Sequence, residues 1–589
     1  MSERRLTGIG ASPGIVVGPV HILHWAMPDV PQRIILPDEV EAEIQRFHAT
    51  LLRARDRLQF VRDRAEQHAG EEEAKIFDLQ ILLLQDTELT SRVESLIRQN
   101  LSAETAFEVT LLEWRHHFSR HASSMMRERI GDITDLQIRV LSLLLGLPDH
   151  DPLDVPKGAN AILVTDDLTP SLTVQIDREA IAAIATDAGT RVSHVAILAR
   201  SLGIPAVVGL KDATRRLRTG EMVILDGSSG TILEHPTLDE MRGARERSTR
   251  EVQFNVELAL LRDLEPVTTD GVKITLRANV DIPEEAALAA ESGADGVGLM
   301  RTEFLVISRA TMPDEDEQYR AYKKVVESFK GAPVVIRTYD IGGDKLPVGG
   351  YPHEANPFLG WRAIRMCLDE PDLFLVQLRA LLRAAVHGDV RIMLPLIVTV
   401  DEVRAARNLL QRAATDLQER GVAHRADVPL GVMIETPASA IACDTFVGAA
   451  SFFSIGTNDL TQYTLAVDRG NVNLAERFTP LHPAVLRLIA RTVEVGLANK
   501  IDVTVCGEMA TQPVMALALI GLGVRTLSVA PRSVTLVKRL VRGISAKAAT
   551  AATARALDAG TAEGAQAALV ACLDEAFGGG AAEFGGLPG

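Results

Sequence analysis

The chain has few cysteines, a deficit of positive charge and no long apolar run, and each shortage excludes a class of protein. Its four cysteines lie far apart without a CxxC spacing, which excludes a disulfide framework and a zinc site. The 78 acidic residues outnumber the 62 basic ones, which argues against nucleic acid, since phosphate backbones bind basic surfaces. No apolar run reaches the length of a membrane span, and the N-terminus lacks the apolar core of a signal peptide. We therefore expect a soluble cytoplasmic protein with neither a nucleic-acid nor a membrane partner.

Proline is absent and glycine is rare between residues 38 and 147, where apolar residues recur at helical spacing. This pattern predicts a helical bundle. Short strand-like segments with glycine turns precede it, and apolar runs that begin at Ala161, Ile181 and Met222 follow it. We therefore expect a small α/β domain with a helical bundle inserted after its first strands.

The second half of the chain predicts a different architecture. From about residue 270 to 540, strand-like runs alternate with helical stretches, which is typical of a (β/α)₈ barrel. The 589 residues, 47% of them apolar, provide for several domains. We expect an α/β domain of residues 1–30 and 150–235, a helical domain of residues 31–149, a linker helix of residues 236–265, a barrel of residues 266–575 and a disordered tail of residues 576–589.

Five apolar runs of the barrel region end at polar side chains. In a parallel barrel the carboxyl ends of all strands meet on one face, where active sites are built. Arginines beside carboxylates, an amide and a cysteine suit a small, multiply charged anion together with a metal. The residues concerned are Arg301, Arg337, Glu435, Asn458, Asp459 and Cys506.

His194 stands at the predicted start of a helix, after a glycine turn at Gly189. Ser193 can cap that helix, and the free backbone N–H groups of a helix N-terminus favour an anion. The imidazole is therefore a candidate nucleophile whose phosphorylated form the helix end would stabilise. The local sequence leaves open the alternative of a structural histidine beside a helix cap.

The segment from Asp187 to His194 resembles the phosphohistidine motif of the phosphoenolpyruvate-utilising enzymes, a family that includes enzyme I of the sugar phosphotransferase system. Thr190 and Val192 depart from the usual Gly and Thr of that motif, and Leu172 stands where enzyme I often has Glu. The resemblance implies a swivelling α/β domain, an inserted helical bundle and a C-terminal TIM barrel. It extends through nearly the whole barrel, over residues 301–304, 337, 340–345, 356–362, 435–437, 456–459, 468–470 and 506–508.

The resemblance also implies an activity. Members of the enzyme I group transfer the phosphoryl group of phosphoenolpyruvate to a histidine and then to the phosphocarrier protein HPr, releasing pyruvate as the first step of sugar uptake. By resemblance, His194 would be the nucleophile, and Thr173 would hydrogen-bond it. Arg301 and Arg337 would bind the phosphoryl group, and Asn458 and Arg469 would complete the anion cradle. Glu435 and Asp459 would bind Mg²⁺, and Cys506 would protonate the enolate.

The helical segment around residues 71–89 resembles the domain of enzyme I that docks HPr. Glu72, Asp86 and Glu88 are candidates for contacts with a basic face of that partner, mainly through rate and orientation. A solvated helix face remains an equally good interpretation of these charges. The resemblance further implies a homodimer formed through the barrel.

Three other interpretations stay open. The nitrogen-related paralogue of enzyme I shares the chemistry but normally carries an additional N-terminal sensory domain. A catalytically inactive regulatory binding protein would be expected to have lost some of the residues named above. A dikinase-like enzyme that uses ATP would need a nucleotide-binding domain, and the sequence has neither room for one nor a P-loop motif.

Overall fold

The structure is a computed structural model, and its chain divides into two compact units, Met1–Phe254 and Asn255–Gly589. Each unit is described by itself. The structure describes residues 4–23, 25, 27–31, 33–69, 71–121, 124–147, 155–156, 158–168, 172, 176–177, 179–189, 195–196, 199, 203–306, 311–342, 354, 356–469 and 471–579.

The first unit contains an eight-stranded mixed sheet with the strand order β1-β8-β7-β3-β4-β5-β6-β2. Strands β3 to β6 are parallel neighbours, and β7 pairs with β3 in the antiparallel sense. Their apolar side chains pack in clusters on both faces of the sheet, as the continuous apolar runs predict. The strands are β1 (Arg5–Thr7), β2 (Ile9–Ser12), β3 (Ile15–Leu23), β4 (Ala161–Thr165), β5 (Ile181–Thr186), β6 (Ala206–Val208), β7 (Met222–Asp226) and β8 (Thr231–Glu234).

A helical bundle lies between β3 and β4 along the chain. Its core is built from side chains that are fully buried, such as Phe47, Leu58 and Phe107. They recur at helical spacing because one stripe of each helix faces the core. The helices are α1 (Val40–Ala69), α2 (Glu71–Leu84), α3 (Thr87–Ile97), α4 (Ala103–His121) and α5 (Ser124–Leu144).

Two further helices follow in this half of the chain, α6 (Ala213–Arg216) and α7 (Leu238–Ala259). Helix α7 lies within the predicted linker of residues 236–265, and the division between the two units falls inside it. The predicted domain boundaries themselves remain predictions.

The second unit is a closed barrel of eight parallel strands. The side chains of Leu299, Val335 and Met433 belong to one small buried cluster, whereas a much larger cluster fills the layer between strands and helices. The strands are β9 (Thr275–Val280), β10 (Val297–Met300), β11 (Val334–Arg337), β12 (Val390–Leu394), β13 (Leu430–Ile434), β14 (Phe452–Ile455), β15 (Asp502–Val505) and β16 (Thr526–Val529).

The helices of the second unit begin where the sequence provides caps. In α12, for example, Thr399 and Glu402 form a capping box, which satisfies free N–H groups of the first turn. These helices are α8 (Ala286–Glu291), α9 (Glu315–Ser328), α10 (Ile364–Asp369), α11 (Pro371–Ala384), α12 (Val400–Glu419), α13 (Pro437–Ile441), α14 (Thr457–Leu465), α15 (Pro483–Asn499), α16 (Pro513–Gly521), α17 (Val534–Gly543), α18 (Ala546–Asp558) and α19 (Ala562–Ala576).

The predicted fold class, an α/β domain with an inserted helical bundle followed by a (β/α)₈ barrel, is confirmed. Helix α19 extends one residue into the predicted tail, and the N–H of Phe577 still donates to the carbonyl of Leu573. Residues 580–589 of that tail lie outside the described residues. No helix in the described part of the chain is both long enough and apolar enough to cross a membrane.

Candidate active site

The carboxyl ends of neighbouring barrel strands carry the polar side chains that the sequence predicts there. All eight strands are parallel, so these ends lie on one face of the barrel. Arg337 is the last residue of β11. The other residues follow their strands directly: Arg301 after β10, Glu435 after β13, Asn458 and Asp459 in the first turn of α14, and Cys506 after β15.

Arg337 is a buried cation held between two carboxylates. Its guanidinium forms ion pairs with Glu303 and, at 3.0 Å, with Asp340 Oδ2. Burial by itself disfavours the charge, but Glu303 and Asp340 outweigh it and raise the pKa of Arg337. Its Nε has no hydrogen-bond partner among the described residues. The site therefore contains a permanently charged donor with one N–H still available to an anion.

A second buried arginine, Arg362, extends this network across the site. Its Nη2 lies 2.5 Å from Asp340 Oδ1 and 3.4 Å from Asp459 Oδ2. Burial lowers the pKa of Arg362, but the charges of Asp340 and Asp459 raise it by more. Asp340 thus bridges the two arginines, and the chain of ion pairs links the ends of strands β11 and β14 through one connected set of charges.

Glu435 and Asp459 are buried carboxylates in the same site, with exposed fractions of 2% and 5%. Glu435 Oε1 accepts a hydrogen bond of 2.6 Å from the N–H of Leu396. Burial raises the pKa of Glu435, and the negative charges of Asp459 and Asp340 raise it further. Asp459 Oδ1 has no hydrogen-bond partner among the described residues, although Arg469 Nη1 lies 3.7 Å away. Arg337 and Arg362 lower the pKa of Glu435 but do not cancel these effects, so a further cation beside Glu435 would stabilise its charged form.

The two carboxylates fit a divalent oxygen-preferring cation. Hard cations such as Mg²⁺ are bound through one or two carboxylates, with water and substrate oxygens completing the shell. The unpartnered Asp459 Oδ1 and the burial of both groups agree with such a site. No group of three or more His, Cys, Asp or Glu side chains with metal-binding geometry occurs among the described residues. Oxygen atoms of water or of a bound substrate would therefore have to complete the coordination of an ion held by Glu435 and Asp459.

Leu396 approaches Glu435 in an unusual backbone conformation. Its φ angle is 56°, in the left-handed region that bulky residues rarely adopt. Such a conformation costs about 1–3 kcal/mol and persists only where the surroundings impose it. Here it aims the backbone N–H at a buried carboxylate. The strain therefore coincides with the orientation of a candidate metal ligand.

Cys506 lies buried beside the ionic network with its thiol hydrogen-bonded. Ser454 Oγ donates to Cys506 Sγ at 3.2 Å, and Sγ lies 3.7 Å from the carbonyl of Ile455. Burial raises the pKa of the thiol, so it stays protonated at neutral pH. The next position, residue 507, requires glycine, because a Cβ on Gly507 would lie 1.9 Å from Thr457 Oγ1. The arrangement presents a neutral S–H, which can serve as an acid.

The remaining predicted residues lie at the more exposed edge of the barrel face. Arg301 Nη1 lies 3.0 Å from Asp281 Oδ1, and its side chain is 38% exposed. Arg469 is 39% exposed and reaches toward Asp459. Asn458 Oδ1 accepts from the N–H of Glu508, which ties the start of α14 to the loop after Cys506. The structure thus brings the barrel residues into one site.

His194 and Thr173 lie outside the described residues, so their predicted roles stay predictions. The described neighbours of His194 agree with the predicted turn and helix: Gly189 has a φ of 110°, and Val195 and Ala196 are helical and buried. A left-handed glycine before a helix is what the sequence pattern requires.

The predicted partner-binding acids lie in α2 and at the start of α3. Asp86 is the N-cap of α3, and its carboxylate accepts from the N–H groups of Glu88 and Leu89 at 2.7 and 3.3 Å. Asp86 therefore stabilises a helix start, whether or not it also meets a partner. Glu88 is exposed, and Glu72 lies in α2 with its side chain outside the described residues.

Three members of the ionic network received no role in the sequence-based prediction: Glu303, Asp340 and Arg362. All three lie within the motifs that carry the family resemblance, which is the signal that points to them. All three side chains are buried, which distinguishes them from solvated surface charges. Removing one partner of a buried pair typically costs about 3–5 kcal/mol, because the other charge is left unpaired.

Comparison with known proteins identifies the class. Three family models match the chain: the N-terminal domain of PEP-utilising enzymes at residues 7–129, the mobile domain at 157–230 and the PEP-binding domain at 255–546. The fold and site thus define a PEP-utilising enzyme.

Proteins of similar sequence show which family within this class the chain belongs to. The chain is 40% identical to the phosphoenolpyruvate-protein phosphotransferase of Geobacillus stearothermophilus over 95% of this chain and 97% of the relative. It is 39% identical to those of Staphylococcus aureus (strain MSSA476) and Priestia megaterium, over 95% and 92% of this chain and 98% and 94% of the relatives. The chain belongs to the phosphoenolpyruvate-protein phosphotransferase family, which confirms the predicted resemblance and the prediction of an enzyme.

Proposed function

We propose that this enzyme transfers the phosphoryl group of phosphoenolpyruvate to His194 and then to the phosphocarrier protein HPr, and that it releases pyruvate. In this proposal it acts in the cytoplasm, at the first step of sugar uptake. The observation that carries the proposal is the barrel site, where buried Arg337 has an unpartnered Nε beside two buried carboxylates and a protonated thiol. That combination suits a trianionic substrate whose product is protonated on carbon.

Arg301 and Arg337 would bind the phosphoryl group. A guanidinium fork matches phosphate oxygens and remains charged at any working pH. Arg337 is fixed by its ion pairs with Glu303 and Asp340, whereas Arg301 is more exposed. Arg469 and Asn458 would complete the cradle at the substrate carboxylate. Phosphoryl transfer then depends mainly on positioning and on neutralising charge in the transition state.

Glu435 and Asp459 would hold Mg²⁺ through their carboxylate oxygens. The ion would supply neutralisation of the substrate's negative charge. Both carboxylates are buried, which would exclude bulk water around them, and the hydrogen bond from Leu396 orients Glu435. The identity of the ion remains part of the proposal.

The chemical step would break the bond between phosphorus and the bridging oxygen of phosphoenolpyruvate and form a bond between phosphorus and a ring nitrogen of His194. The enolate of pyruvate remains, and its methylene carbon takes the proton of Cys506 Sγ. The resulting thiolate regains a proton from solvent. Thr173 would hydrogen-bond the histidine, and the N-terminus of the helix predicted there would stabilise the phosphorylated ring.

The histidine and the barrel site belong to different units, so they must meet during the cycle. We propose that residues 1–30 and 150–235 form the phosphohistidine domain, that residues 31–149 bind HPr, and that the linker around α7 permits the motion. Glu72, Asp86 and Glu88 would attract a basic face of HPr. The exposed Leu82, four residues before Asp86, would add apolar contact. A homodimer through the barrel completes the proposal.

The direct test uses phosphoenolpyruvate labelled in its phosphoryl group, with Mg²⁺ and without HPr. The wild type should acquire acid-labile label, and His194→Ala should acquire none. Absence of label on the wild type would favour a catalytically inactive regulatory binding protein. A labelled protein that donates to the carrier of the nitrogen-related system and not to HPr would favour the nitrogen-related paralogue.

A further inference from the structure

A chain of buried polar side chains lies behind the two strand ends that carry Arg301 and Arg337. At its centre is Gln377 of α11, which is fully buried. Gln377 Oε1 accepts from the backbone N–H of Tyr339 at 3.0 Å, and its Nε2 lies 3.5 Å from Thr302 Oγ1. The same Nε2 donates to Tyr322 Oη at 3.2 Å. All of the polar atoms of this amide are therefore engaged.

The hydrogen bonds of this chain fix the orientation of every member. A backbone N–H only donates, so Gln377 Oε1 has to face Tyr339 and its NH₂ has to face the two hydroxyls. The hydroxyl of Thr302 is then left to donate to the carbonyl of Arg337 at 3.1 Å. The hydroxyl of Tyr322 donates in turn to Gln318 Oε1 at 3.1 Å. A flipped amide would set donor against donor at Tyr339.

These hydrogen-bonded side chains join the two backbone segments that carry Arg301 and Arg337. Thr302 follows Arg301 directly, and its hydroxyl binds the carbonyl of Arg337. Gln377 holds that same hydroxyl and the N–H of Tyr339, two residues beyond Arg337. One side chain from an outer helix thus ties the end of β10 to the end of β11. Binding sites work when their groups are held within about 0.5 Å by such supporting contacts.

We propose that Gln377 is a positioning residue that sets the separation of the Arg301 and Arg337 guanidiniums for the phosphoryl group of phosphoenolpyruvate. The proposal rests on the function proposed above for these arginines. Gln377 has no polar atom left for substrate, so it acts only through the strand ends. Both arginines bind the phosphoryl group before and during transfer, so their misplacement raises KM more than it lowers kcat.

The test compares two variants that each remove buried polar groups from the same chain. Gln377→Met keeps the length of the side chain but loses its links to both strand ends. Tyr322→Phe removes one hydroxyl and leaves those links in place. We expect both to lower the free energy of unfolding, whereas only Gln377→Met raises the KM for phosphoenolpyruvate, by about tenfold or more, with a smaller change in kcat.

Thr302→Val and Thr302→Ser supply an independent probe should Gln377→Met fail to fold. Valine deletes the hydroxyl that joins Gln377 to Arg337, and serine retains it, so KM should rise in the first and return toward the wild-type value in the second. Equal KM in wild type, Gln377→Met and Thr302→Val would overturn the positioning role. So would equal rises in Gln377→Met and Tyr322→Phe. A wild type that makes no pyruvate from phosphoenolpyruvate would instead overturn the proposed function.

Discussion

At the scale of single residues, burial and neighbouring charges shift the protonation equilibria of the site. Burial raises the pKa of the Cys506 thiol and outweighs the hydrogen bond with Ser454, which lowers it. Burial alone would lower the pKa of Arg337, but the charges of Glu303 and Asp340 raise it by more. Glu435 is pushed toward its neutral form by burial and by Asp459. Shifted pKa values of this kind are concentrated at functional sites, because catalysis needs groups whose pKa is matched to their task.

Replacing Cys506 with alanine should separate phosphoryl transfer from the protonation of the product. Without the thiol, the enolate has no acid beside it, and positioned acids contribute about 10²–10⁴-fold. We expect Cys506→Ala to slow the release of pyruvate by about 100-fold or more while His194 still acquires label. The measurement is pyruvate formation beside labelling of the protein.

Cys572→Ala is the matched control for this change, since Cys572 is also a buried free cysteine but lies in α19. It should leave pyruvate release unchanged. Normal pyruvate release by Cys506→Ala would remove the thiol from the mechanism.

The affinity for Mg²⁺ should depend on pH through Glu435. Burial, Asp459 and Asp340 raise the pKa of Glu435 to about 8, so the metal-free protein holds a proton there at neutral pH. Mg²⁺ has to displace that proton, so its affinity should rise with pH between about 6 and 8 and then level off. Titration calorimetry at several pH values would measure this. Glu435→Gln should bind Mg²⁺ more weakly and without that slope, and a pH-independent affinity in the wild type would contradict the assignment.

At the scale of elements, one carboxylate, that of Glu315, joins outer helices of the barrel by forming ion pairs with three arginines. Glu315, the first residue of α9, lies 2.7 Å from Arg379 and Arg383 and 2.9 Å from Arg420. These arginines belong to or follow α11 and α12. The cluster therefore ties the outer helices α9, α11 and α12 together at one point, and α9 and α11 also carry the polar side chains behind the active site.

Glu315→Gln should destabilise the barrel at neutral pH and progressively less in acid. Partial burial alone would raise the pKa of Glu315, but hydrogen bonds from Arg420, Arg379 and Arg383 lower it to about 2, below its ordinary value of 4.5. A carboxyl with a lowered folded pKa stabilises the fold above the unfolded value and loses that contribution as pH falls toward the folded one. Denaturant unfolding at pH 7 and at pH 3 to 4 measures the difference between wild type and variant.

Asp316→Asn provides the comparison, because Asp316 pairs with Arg383 at 2.7 Å but is 65% exposed. Exposed pairs contribute at most about 1 kcal/mol, so this variant should change little at either pH. An effect of Glu315→Gln that is as large in acid as at neutral pH would contradict the role assigned to the charge.

The elements of the barrel could be predicted because buried parallel strands read as apolar runs. All five apolar runs are strands of the barrel, and the predicted polar residues lie at the strand ends or shortly after them. These residues are Arg301, Arg337, Glu435, Asn458 and Cys506. The supporting groups could not be predicted in this way. Asp340 and Arg362 are 22 residues apart along the chain, and a charged residue in a loop looks the same in sequence whether it is solvated or buried.

The supporting role of Gln377, which lies on helix α11, could not be predicted from the sequence either. It lies in α11 among buried apolar residues, where one amide gives no periodic signal, and its partners come from other elements. Only the packing of α9 and α11 against the strand ends reveals its contacts. Similarly, the sequence suggests partner contact or a solvated helix face for Asp86, and only the structure shows that it is also the N-cap of α3. The partner contact remains a prediction.

At the scale of the whole molecule, the proposed reaction is divided between two units. In the proposed function, the barrel would supply the cations and carboxylates for phosphoenolpyruvate, and the first unit would supply the histidine that carries the phosphoryl group away. The family models follow the same division, with a mobile domain at residues 157–230 and a PEP-binding domain at 255–546. A covalent carrier of this kind gives ping-pong kinetics.

The most direct test of this account is the number of pyruvate molecules released per chain when phosphoenolpyruvate and Mg²⁺ are added without a protein acceptor. A phosphohistidine intermediate predicts a burst of about one pyruvate per chain that then stops, with continuous release once HPr is added. His194→Ala should show no burst. Continuous release by the wild type without an acceptor, or no release with one, would contradict transfer through His194.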